Sequence, residues 1–183
     1  MDISFPALAL DDLPLIRRWL NMPHVYEWWG ASSGPGSLGG PGDDAATEAQ
    51  VYEKYAPGLD PEAEGTQRHI ITVDGRAVGL IQRYRLAGEP EYAAQIGETE
   101  PGGVGIDLFI GEPNAVGRGD GTAALDRYVT AIVFADPTIS RAVGAPHPEN
   151  ARSCRAFERA GFTFVRDAIV DGSGPERVHV RSR

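Results

Sequence analysis

One cysteine in 183 residues, Cys154, leaves no partner for an internal disulfide, and four scattered histidines give no recognisable zinc spacing, so no metal is implied. No apolar run approaches the roughly 18 residues that a membrane span needs. The N-terminal MDISFPALALDDLP has no basic stretch ahead of its few hydrophobes, so no signal peptide is expected and a cytoplasmic protein is the default. Bases are scarce as well: 17 Lys and Arg face 26 Asp and Glu, and the net charge of -9 disfavours nucleic acid or an anionic membrane as the partner. Residues 43–64 hold seven acids against Lys54 alone, and 88–100 hold four with no base, which together account for the whole imbalance. They read as two solvated acidic loops, or as an acidic funnel for a cationic small molecule. What is present is ordinary for a globular chain: 42% hydrophobic and 23% charged residues, at a length that suits one domain over 1–183.

Periodicity and punctuation order the elements. Residues 2–10 read as a strand with Pro6 near an edge, followed by a helix capped by Asp11 or Asp12 that carries Leu13, Ile16, Trp19 and Leu20 on one face and stops before Pro23. The Gly/Pro/Ser-rich stretch 31–42 reads as a long loop of the kind that often forms a lid, and a second helix is predicted over 44–55. Asp74-Gly75 supplies the positive φ angles of a tight turn between 68–73 and 76–86, the clearest hairpin in the chain. The nearly unbroken apolar run 104–110 predicts a central strand covered on both faces. A helix with Leu125, Tyr128, Val129 and Ile132 on one stripe, a strand at 141–145, a short helix ended by Gly161 and a final hairpin around Asp171-Gly172 complete an α/β fold with a sheet of mixed polarity.

Gly117, Arg118, Gly119, Asp120, Gly121 and Thr122 lie between the buried strand and a helix, where free N–H groups and the helix dipole favour a phosphate. A plain glycine turn would have the same composition, and neither a Walker A loop nor a dinucleotide fingerprint is present. Thirty residues on, Asn150, Ser153, Phe157 and Ala160-Gly161-Phe162 form a second signature. Together the two motifs resemble the GCN5-related N-acetyltransferase (GNAT) superfamily, whose glycine loop holds the pyrophosphate of acetyl-CoA. The usual Gln or Arg that opens that loop is Val116 here.

The segments RRWLNMPHVYEWWG, VYEKYAPGLDP, GRAVGLIQRY, PGGVGIDLFIG and FADP are similar, over almost the full length, to the aminoglycoside 6′-N-acetyltransferase family. The resemblance implies a single N-acetyltransferase domain, with a mixed, mostly antiparallel central sheet flanked by helices. It also implies acetyl-CoA as donor and a small cationic amine as acceptor, with Trp28, Trp29, Tyr55, Gln82 and Asp107 around the acceptor and Asp107 as the base. Phe109, Ile110, the 117–122 loop, Asn150 and Phe157 are the residues expected at the donor. Independently of the family, a carboxylate among Val104, Ile106, Leu108, Phe109 and Ile110 is costly to bury and needs a partner, water or a cavity. A structural aspartate satisfied by backbone or Arg remains the alternative, as core packing does for Trp28 and Trp29. Amides near 109–111 are placed to polarise a thioester carbonyl. Cys154 and the four histidines carry no motif, His69 being the one nearest a candidate site.

The chain departs from the superfamily at Phe157, where a tyrosine often serves as acid, and from the aminoglycoside family at Ala145, where an acid precedes Pro146, and at YAAQIGETE, where tryptophans occur. The leading expectation is an acetyl-CoA-dependent enzyme acting on the 6′-amine of aminoglycosides, as monomer or homodimer. A siderophore-type lysine N-acyltransferase and a non-catalytic CoA- or drug-binding module are the alternatives.

Overall fold

The computed structural model describes residues 1–29, 38–59 and 65–183. Seven strands among these residues form one sheet: β1 (Ile3–Ser4), β2 (Gln67–Val73), β3 (Arg76–Arg85), β4 (Gly103–Ile110), β5 (Arg141–Gly144), β6 (Thr163–Val170) and β7 (Gly174–Ser182). Their spatial order is β1-β2-β3-β4-β5-β7-β6, and every pairing is antiparallel except β4 with β5. The α/β class, the mixed sheet and the central place of β4 are as the sequence predicts.

Among the described residues six helices cover the two faces: α1 (Leu13–Leu20), α2 (Pro23–Trp29), α3 (Glu48–Tyr55), α4 (Pro90–Ile96), α5 (Asp120–Tyr128) and α6 (Ala151–Arg159). One face carries α5 and α6, with Ile106, Leu125, Tyr128, Val129 and Phe157 in its core. On the other face α1 and α3 bury Ile16, Trp19, Leu20, Val51 and Tyr55 against Ile70, Leu80 and Phe109. Beside them α4 closes a third cluster of Ile96, Val143, Val170 and Val178. Each fully buried aliphatic side chain here contributes about 1.5–3 kcal/mol.

Several boundaries differ from the sequence expectation. The first strand is two residues long because Pro6 has no N–H to give, although Pro6 O and Leu8 N–H still bond to Ile70 and Arg68. Pro23 opens α2 instead of only ending α1, since a proline is at ease at the first helical position. The helix predicted from 44 starts at Glu48, where Thr47 and Gln50 form a reciprocal cap. The acidic stretch 88–100 contains α4, stopped by Gly97 at φ +72°. Glu98 in that stretch is not solvated: it is 6% exposed and pairs with Arg166 at 2.7 Å. Most of the candidate lid, and residues 60–64 of the other acidic stretch, lie outside the described residues.

Candidate active site

The central strand determines where chemistry can occur. β4 pairs with β3 along its length, but with β5 only through Gly103, Val104 and Gly105. Beyond Gly105 the two parallel strands part. Gly111 N–H donates to Val78 O, so alternation turns residues 107 and 109 towards β3 and residues 108 and 110 towards the gap. The amides that face the gap therefore belong to Leu108 and Ile110. Phe109, expected at the donor, is instead core, edge-on to Trp19 and Trp29 with ring centroids 6.2 and 4.9 Å away. The Ile110 carbonyl is held by His24 Nε2 at 3.0 Å, which fastens α2 to the end of β4.

The glycine loop follows at the same end of the strand. Gly117 and Gly119 have φ of +81° and +92°, and Gly119 caps α5 in the left-handed conformation that a side chain would strain. A Cβ on either would meet open space. Helix bonding begins with Ala123 N–H to Gly119 O, and no described acceptor takes the N–H groups of residues 117–122. A row of free amides at a helix N-terminus, beside a gap with further free amides, fits the diphosphate and thioester of an acyl-CoA. Asn150 caps α6 by accepting the Ser153 N–H at 3.1 Å, and the Phe157 ring lies across Gly144 where a Cβ would stand, so Phe157 forms the wall where β5 ends.

A cavity of about 320 Å³ opens over the sheet between α2 and α3 on one side and α4 on the other, and continues through the gap to Asn150, Ser153 and Phe157 at α6. Trp28, Trp29, Tyr55, Gln82 and Asp107 line it, so the acceptor candidates come together, and the donor candidates Asn150 and Phe157 border the same space. Asp107 accepts from Gln82 Nε2 at 2.9 Å, and Gln82 Oε1 accepts from Arg68 Nε at 3.2 Å. Asp107 is partly buried at the cavity wall, and this desolvation raises its carboxyl above the usual range, opposed by the Gln82 bond and the Arg68 charge. The Arg68 guanidinium sits 5.1 Å over the Tyr55 ring. Burial pushes the Tyr55 phenol up, against a Trp29 hydrogen bond and Arg68. The adjacent tryptophans diverge: Trp29 packs on Phe109, whereas Trp28 reaches His147, 5.9 Å between rings.

Sequence reasoning missed part of this wall. Tyr84, Tyr92, Glu176 and the cations Lys54 and Arg68 also line the cavity. Tyr84 lies over Gly105, occupying the space of the missing Cβ, which gives the glycine of Gly-Ile-Asp a packing reason. Tyr92 on α4 donates to Glu176 Oε2 on β7 at 3.0 Å. No local signal marked these residues, because the helix bearing Tyr92 was itself read as loop. His69 points to the other face, where its Nδ1 meets the Tyr128 hydroxyl at 2.9 Å. Cys154 is 5% exposed and burial raises its thiol, which suits packing and not attack.

The family model of the GNAT acetyltransferase domain matches residues 9–169. Over 182 residues the chain is 31% identical to aminoglycoside N(6′)-acetyltransferase type 1 of Klebsiella pneumoniae, covering 99% of this chain and 83% of that protein. A solved structure of AAC(6′)-Ib in complex with ribostamycin and coenzyme A matches with a TM-score of 0.84 and 28% identity, covering 100% of this chain and 94% of that one. The lysine N-acyltransferase MbtK of Mycobacterium sp. (strain MCS) is 28% identical over 87% of this chain, which spans 59% of that protein. A glycine-loop site and a parted sheet on the donor side, an aspartate in a cavity on the other, and these matches lead to one conclusion: the chain belongs to the GNAT acetyltransferase family, in the group of the aminoglycoside N(6′)-acetyltransferases.

Proposed function

We propose that the protein transfers an acetyl group from acetyl-CoA to the 6′-amine of aminoglycosides, working in the cytoplasm as a monomer or homodimer with neither nucleic acid nor membrane as partner. One observation carries the reading: Asp107 enters an acceptor cavity from the same strand whose neighbouring amides, Leu108 and Ile110, face the donor gap.

An ammonium group arriving at Asp107 pairs with the carboxylate and then loses a proton to it, directly or through water. Burial makes Asp107 a stronger base than an exposed aspartate, which favours this step. The neutral amine attacks the thioester carbonyl, whose oxygen accepts from main-chain N–H groups of the gap. The C–N bond forms and the C–S bond breaks; the second proton of the acylated nitrogen passes through water to the departing CoA thiolate, Phe157 having none to give, and Asp107 returns the first to solvent. Gln82 keeps Asp107 oriented, while Gly117 to Thr122 and the α6 cap at Asn150 seat the donor.

Release of CoA thiol across a panel of aminoglycosides, polyamines and lysine derivatives, with mass spectrometry of products, tests the proposal. One added acetyl group on drugs with a free 6′-amine, and none on 6′-hydroxyl analogues, is the expected result. Turnover of lysine derivatives alone would replace it with a second reading, favoured by Arg68 and Lys54: two cations on the wall suit an acceptor that bears a carboxylate.

A further inference from the structure

Among the described residues lining the acceptor cavity there are two acids, Asp107 on β4 and Glu176 on β7. The reaction consumes one amine and gives Asp107 its task; Glu176 has none in it. Strand β5 separates β4 from β7 where the three pair, and beyond its end both side chains line one space. Ala145, on the loop between them, contributes no charge to the same wall. The cations Arg68 and Lys54 belong to β2 and α3, on the far side of Asp107 from Glu176. Arg68 is already engaged by Gln82 and the Tyr55 face. The end of the cavity at β7 is thus anionic.

Glu176 is also built in. Tyr92 donates to it at 3.0 Å, and the Tyr92 ring lies 6.4 Å from that of Tyr84, itself seated over Gly105. Two ionised carboxylates facing one partly dry cavity repel each other, a cost removed either by a proton on one of them or by a ligand with a positive charge for each. We infer that Glu176 is a second acceptor-binding carboxylate, which takes a further ammonium group of a multiply charged amine while Asp107 takes the one that reacts. The inference rests on the reading of this cavity as the site of a cationic acceptor.

The groups that face Glu176 are Tyr92 from α4, Asp107 from β4 and Tyr84 from β3, with His147 and Lys54 elsewhere on the wall. Burial pushes its carboxyl up to about 7, assisted by the Asp107 charge and opposed by the Tyr92 hydrogen bond. A polyamine binding near neutral pH therefore drives a proton off Glu176, and the bond from Tyr92 sets the pH at which this occurs.

Calorimetry of kanamycin and of spermidine binding, each in two buffers of different ionisation enthalpy between pH 6 and 9, tests the inference. Glu176→Gln keeps an acceptor for Tyr92 and removes the charge; it is expected to weaken both ligands tenfold or more at pH 8 and to abolish the proton release centred near pH 7. The acetylation KM for kanamycin rises in parallel, while kcat at saturation stays within threefold. Loss of the Tyr92 donor in Tyr92→Phe moves the proton release to higher pH. Folding is checked by melting: with a buried charge gone, Glu176→Gln melts no lower than the native protein at pH 8. Binding within twofold of the native protein, with an unchanged proton balance, overturns the inference. Spermidine keeps the two readings apart: failure to acetylate any aminoglycoside removes that acceptor class, while the role of Glu176 is decided by spermidine binding.

Discussion

Asp107 does two jobs with one carboxylate, and the surroundings divide them. The Gln82 bond holds it as an anion for the incoming ammonium, while burial makes it ready to accept a proton. Asp107→Asn keeps the shape and an acceptor for Gln82, so kcat should fall about 100- to 10,000-fold while the Kd for CoA, measured by calorimetry, is unchanged. Because burial raises the carboxyl, the acid limb of kcat/KM should lie above the pH range of an ordinary aspartate and vanish in Asp107→Asn. Asp107 was legible from sequence because it is a lone charge in an apolar run. Glu176 was not, since it lies beside Arg177 in a hairpin where charge is commonplace and only its fold neighbours make it a half-buried group on the cavity wall. Glu98 illustrates the same limit, as Arg166, 68 residues away, decides that it is paired rather than solvated.

At the level of the element, glycines govern how closely one strand can carry aromatic weight. Tyr84 crosses Gly105, Phe157 crosses Gly144 and Trp19 crosses Gly111, all along the seam where β4 and β5 meet and part. Gly105→Ala would drive a Cβ into the Tyr84 ring, a rigid obstacle. A loss of about 1–3 kcal/mol in urea melts is expected, with a higher KM for the acceptor and little change in the Kd for CoA, because the displaced ring enters the acceptor cavity. The strands after β1 and the two C-terminal helices were readable from periodicity, since hydrophobic spacing and the Asp74-Gly75 and Gly161 stops agree there. The short helices α2 and α4 were not, because each opens on a proline that local rules read as a stop.

For the molecule as a whole, the α4 segment is bound to the C-terminal hairpin through charge as much as through apolar packing. Glu98 joins Arg166 of β6 at 2.7 Å and approaches Arg141 of β5 at 3.9 Å, and Arg166 also caps the carbonyls of Ile96 and Gly97. Glu98→Ala would leave a partly buried Arg141 without its counter-charge, a loss of at most about 3 kcal/mol. A thermal melt should show this as a fall of no more than roughly 6–12 °C for a chain of this size. In mechanical terms the sheet consists of two plates, β1 to β4 and β5 to β7, welded along the three residue pairs that join Gly103–Gly105 to Arg141–Val143. A ligand spanning the open end of that joint acts as a clamp on both plates, and by mass action its binding free energy adds to the resistance of the whole chain to unfolding, by about 2.7 kcal/mol at a hundredfold excess over its Kd.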